Sequence, residues 1–135
     1  MTARRYGVSG VLVIALVALA VALAASWTLG SAVAQGNTHT VTKTEDSLDF
    51  VCDADCSLRE AVHVAASGDN VNIPSGTYTL SLGAQITISK SLTLTGAGSG
   101  DTIVEAATEP NVAGWRVFNL GGGAVVISGV TVRNG

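Results

Sequence analysis

From Asp69 to Gly135 the chain is a succession of short apolar pieces cut apart by glycine, and this limits its fold more than any other feature. The pieces are Val71-Asn72-Ile73, Tyr78-Thr79-Leu80, Ile86-Thr87-Ile88, Leu92-Thr93-Leu94, Ile103-Val104, Val117-Phe118, Val125-Val126-Ile127 and Val130-Thr131-Val132. Most alternate apolar and small polar residues with a period of two, and β-branched residues dominate, which is the pattern of strands. The breakers between them are Pro74-Ser75-Gly76, Gly96 to Gly100 and Gly121-Gly122-Gly123. After Gly68 no segment has helical periodicity, so this part is read as all-β.

The pieces also repeat. Ile86-Thr87-Ile88-Ser89 followed by Leu92-Thr93-Leu94-Thr95-Gly96 is echoed by Val125-Val126-Ile127-Ser128 followed by Val130-Thr131-Val132-Arg133-Asn134-Gly135. Each is strand, short corner, strand, glycine. Repeats of this size point to a stacked solenoid, in which a unit buries its apolar face only against its neighbours. A sandwich or barrel is the alternative, but it would more often use two-residue Asn-Gly or Asp-Gly hairpin turns. The Asn134-Gly135 pair has no strand after it.

One helix is predicted, just before the strands. Ser57-Leu58-Arg59-Glu60 fits a capping box: the Ser57 hydroxyl accepts from the Glu60 N–H, and the Glu60 carboxylate accepts from the Ser57 N–H. Asp55 adds negative charge near the positive helix end. Leu58, Ala61, Val62 and Ala65 make a narrow apolar stripe, and Gly68 is placed to end the helix in a left-handed conformation. That gives about nine residues, too few to stand alone without docking the stripe. Arg59, Glu60, His63 and Ser67 fall on the other, exposed side.

The residues around this helix resemble a known family. Cys56-Ser57-Leu58-Arg59-Glu60-Ala61 is the hexapeptide after which the CSLREA domain is named. The flanks are similar too: Cys52-Asp53-Ala54-Asp55, Gly68-Asp69-Asn70-Val71, Gly76-Thr77-Tyr78-Thr79-Leu80 and Leu92-Thr93-Leu94-Thr95-Gly96-Ala97-Gly98. The likeness runs from about Thr40 to Gly135. It implies a right-handed parallel β-helix with an N-terminal capping helix, and an incomplete, N-terminal portion of one. It also implies an exported bacterial surface or secreted protein, similar to polymorphic outer-membrane or adhesin-like proteins.

The first 34 residues carry the parts of an export signal. Arg4 and Arg5 precede the apolar run Val11 to Ala25, and Ala32-Val33-Ala34 offers a small-residue cleavage site. The rival is an uncleaved membrane anchor over residues 8–25, near the roughly 20 residues a spanning helix needs. Either way the remainder is exported, to the cell surface or beyond. The expected organisation is 1–34 signal peptide or anchor, 35–51 leader with an edge strand, 52–68 disulfide loop and capping helix, and 69–135 β-coils. Beyond residue 34 five bases face ten acids, a net charge of −5. With no basic cluster, nucleic-acid binding is disfavoured.

Cys52 and Cys56, in an exported chain, are expected to pair; free thiols or a metal site are the alternatives, although zinc needs four ligands. Asp49, Asp53 and Asp55 could offer oxygens to calcium, but they miss the EF-hand spacing, and the plainer reading is a solvated, helix-capping acidic loop. His39 is read as solvated. Asp101, Glu105, Glu109, Arg116 and Arg133 are scattered, with no pair recurring at strand spacing, and are read as a solvated surface. Gly96 to Gly100 lacks the Gly-Lys-Ser/Thr of a phosphate loop. No catalytic, cofactor-binding or metal residue is assigned. The expected role is a structural or binding module toward an extracellular carbohydrate or surface protein. A pectate-lyase-like carbohydrate-active enzyme is the alternative, resting on fold analogy alone.

Overall fold

The computed structural model describes residues 36–135. The proposed signal peptide or anchor lies outside the described residues. Nine strands and one helix follow in order: β1 (Thr38–Thr40), α1 (Leu58–Val64), β2 (Asp69–Ile73), β3 (Gly76–Thr79), β4 (Ile86–Ile88), β5 (Leu92–Gly96), β6 (Thr102–Glu105), β7 (Phe118–Leu120), β8 (Val125–Ser128) and β9 (Thr131–Arg133). Each short apolar piece after Gly68 coincides with or overlaps one strand. Pairing is parallel throughout. The sheets are β1-β2-β5-β8, β3-β6-β9 and β4-β7.

The period of two is explained by columns of side chains. Val71 stands opposite Leu94 and Leu94 opposite Ile127. Tyr78, Val104 and Val132 form a second column, and Ile88 with Leu120 a third. Val71, Leu94, Ile73, Ile88 and Val104 have no exposed surface, so alternate positions of different strands share one core. Burying a valine or isoleucine side chain is worth about 1.5–3 kcal/mol, and here that gain is available only between layers. At the turn into β8 the backbone comes close: Gly123 has φ +77, and a Cβ there would lie 2.5 Å from Lys90 C and from Ser91 N.

The expected right-handed parallel β-helix is corrected by this arrangement. The described residues form a small unit of three short parallel sheets and one short helix, and a solenoid is not shown. The sheets hold four, three and two strands. The interval between stacked positions is not constant either: Thr38 faces Asn70, Asn70 faces Thr93, and Thr93 faces Val126. The described strands therefore carry no fixed repeat length, and the connection from Glu105 at the end of β6 to Phe118 at the start of β7 is long.

The helix also departs from expectation. It has seven residues and ends at Ala65, whose φ −56 and ψ 139 are extended. Gly68 does have φ +96, but it lies in the turn before β2 rather than at the helix end. The last turn is held instead by the Lys90 ammonium, which donates to the carbonyls of His63 and Ala65. Leu58, Ala61, Val62 and Ala65 are all buried as α1 packs on β2 and β4. Among the described residues no helix is long and apolar enough to cross a membrane.

Candidate functional site

The hexapeptide Cys56 to Ala61 is where separate parts of the chain meet. A disulfide joins Cys52 to Cys56, with Cα atoms 4.5 Å apart. Closing a five-residue loop is worth about 2 kcal/mol by the chain-entropy argument. Cys56 is fully buried. Its N–H donates to the Thr42 hydroxyl at 2.7 Å, and its carbonyl accepts from the Thr42 N–H at 2.9 Å. The loop is thereby tied to the segment that leaves β1.

Ser57 and Glu60 form the reciprocal cap of α1. The Ser57 N–H donates to Glu60 Oε2 at 2.7 Å, and the Glu60 N–H donates to Ser57 Oγ at 3.1 Å. Glu60 is not on an exposed face, as its helical position suggested: it is 1% exposed. Its other oxygen accepts from the Ser47 hydroxyl at 2.7 Å and the Asp49 N–H at 3.2 Å. Burial would raise the pKa of such a carboxyl, but the hydrogen bonds from Ser57, Ser47 and Asp49 outweigh it and lower the value to about 2. The carboxylate thus serves as the cap of one helix and the anchor of the 47–49 loop.

Arg59 is the second bridge. Its Nε and Nη2 reach the two Asp46 oxygens at 2.7 and 2.9 Å. Nη2 also donates to the Ala84 carbonyl at 2.7 Å, and Nη1 to that of Gln85 at 3.1 Å. Asp46 Oδ2 accepts in turn from the Leu82 N–H at 3.0 Å. A planar fork can hold a carboxylate and two carbonyls at once. Arg59 therefore fixes α1 to the 81–85 turn; it is not a free surface cation.

Two further polar junctions were absent from the sequence reading. His39, expected to be solvated, is half-buried with Nε2 3.0 Å from Asp69 Oδ2. Asp69 also accepts from the N–H groups of Ala66 at 2.8 Å and Asn37 at 2.8 Å. Its pKa is lowered, first by the Ala66 N–H and then by His39. Glu105 and Arg133, expected on a solvated surface, stand opposite each other on β6 and β9. Buried Glu105 accepts from Arg133 Nε at 2.8 Å and from the Thr79 hydroxyl at 2.8 Å. The pair does fall at strand spacing, which only the register reveals.

The acidic loop residues turn toward their own surroundings. Asp49 accepts from the Val51 N–H and Asp53 from the Asp55 N–H, both at 2.9 Å. Asp55 pairs with Lys43 at 2.9 Å. Among the described residues, no three His, Cys, Asp or Glu side chains gather in a way that could hold a metal ion. His63 is exposed, its ring in an edge-on contact with Phe50 at 5.0 Å between centroids. Chemically, the polar groups of Ser57, Arg59 and Glu60 are engaged in holding loops together, which suits a rigid junction rather than proton transfer.

No protein-family model, no curated protein and no solved structure matches the chain.

Proposed function

We propose that the chain is an exported structural and binding module, acting at the bacterial cell surface or in the medium. The observation that carries this reading is the Cys52–Cys56 bridge. Disulfides persist in oxidising compartments and are rare in the cytosol. The leader-like residues 1–34 support the same conclusion from the sequence side, as does the resemblance of Cys56 to Ala61 to the CSLREA hexapeptide. A junction whose charged groups are spent on mutual bridges fits a scaffold that presents a surface.

The test is to express the full chain in a bacterium with a C-terminal epitope tag. The tag should appear in the medium or be removed by protease added to intact cells. Maleimide should label the two cysteines only after reduction. A tag protected until lysis, with both thiols labelled at once, would overturn the proposal.

A further inference from the structure

The loop Leu48-Asp49-Phe50-Val51 exposes three apolar side chains in a row of four. Phe50 is 62% exposed, Val51 51% and Leu48 37%. Phe50 is held at φ +72, a left-handed conformation that is unfavourable for a bulky side chain. Most of this large apolar side chain faces water in a conformation that disfavours it.

The loop is nonetheless pinned at several points. Ser47 and Asp49 are bonded to buried Glu60. The Val51 N–H is held by the Asp49 carboxylate. Cys52, next in the chain, is bridged to buried Cys56. The Phe50 ring meets His63 on α1 edge-on. A preorganised aromatic that loses little freedom on binding is the physical profile of an interface hot spot.

Its surroundings indicate what it meets. Glu45, Asp49, Asp53 and Asp55 are exposed beside it in the chain; Lys43 pairs with Asp55 and is also within electrostatic reach of Asp49, which leaves the carboxylates in excess. A partner of complementary charge is attracted by this excess of negative charge in the segment. Anionic lipid headgroups and a second copy of the same loop would both be repelled.

We propose that Leu48 to Val51 is a preformed docking knob for a protein partner whose apolar slot is bordered by lysine and arginine. This deepens the binding role proposed above and rests on it. The localisation assay tests that role without reference to Phe50, so the two can fail separately.

The probe is a fluorescein-labelled synthetic peptide with a Leu-Phe-Leu centre flanked on each side by Lys-Arg-Lys, titrated with the purified, oxidised full chain and followed by anisotropy. Saturable binding is expected. Phe50→Gly, which removes the ring and accepts the positive φ, should weaken it at least tenfold. The pair Glu45→Gln and Asp53→Asn should weaken it severalfold and flatten its salt dependence. Thermal melts of all variants should match the parent. An absence of saturable binding, or equal binding by Phe50→Gly, overturns the proposal. So does Phe50-dependent sedimentation with phosphatidylglycerol vesicles in place of peptide binding, which would make the loop a membrane contact. A dimer in sedimentation velocity that Phe50→Gly abolishes would equally overturn it, in favour of self-association.

Discussion

Replacing Glu60 by glutamine tests how this fold is held together. Glu60 is 1% exposed; its carboxylate accepts three hydrogen bonds, from the Ser57 N–H, the Ser47 hydroxyl and the Asp49 N–H, and its own N–H donates to Ser57 Oγ. Its pKa falls from an ordinary 4.5 to about 2. At 1.36 kcal/mol per pH unit, that difference corresponds to about 3 kcal/mol of stability supplied by the ionised form. Because the folded value is the depressed one, this stability is fully present above about pH 4.5 and is lost as pH falls through about 2. Glutamine keeps the shape but not the charge, so the variant should be less stable than the parent by about 3 kcal/mol at pH 7. The gap should shrink steadily below pH 4.5 and nearly close at pH 2. Urea unfolding of both proteins at a series of pH values, followed by near-ultraviolet circular dichroism, measures this. A gap that stays constant with pH, or one under about 1 kcal/mol at pH 7, would refute the assignment of Glu60 as a buried, ionised anchor.

Two other substitutions probe the remaining junctions. Arg59→Lys keeps the charge but cannot span Asp46 and the carbonyls of Ala84 and Gln85 together; a loss of about 2–4 kcal/mol is expected. Asp46→Asn added to it should cost much less than on its own, and full additivity in urea melts would contradict the shared bridge. Gly123→Ala and Gly68→Ala both force alanine into positive φ, but only Gly123 also meets backbone, at Lys90 and Ser91. The first should cost at least twice the roughly 1–2 kcal/mol expected of the second; equal melting temperatures would remove the close approach at β8.

Local chemistry made much of the helix and strand positions readable. Ser57 and Glu60 lie three residues apart, and Leu58, Ala61, Val62 and Ala65 follow the turn of a helix, so the cap and its buried stripe could be written down from adjacent residues. The alternation of valine, isoleucine and threonine marked where β2 to β9 would lie, because period two is a property of each strand by itself. The bridging partners could not be found that way. Asp46 meets Arg59, His39 meets Asp69, and Glu105 meets Arg133 across loops or between sheet layers; nothing in either residue's neighbourhood names the other. Nor could helical geometry reveal that Glu60 is buried, since what covers it is the 47–49 loop.

The order of the sheets was decided at the same level. Short strands of similar composition can pair in many registers, and the columns that bury Val71 under Leu94 exist only after the chain has closed its turns. Taken alone, the sequence determined which residues form strand, helix and disulfide loop. Tertiary structure decided how three short parallel sheets share one core, and which charges became internal ties, because burial and long-range pairing depend on what the rest of the chain places alongside.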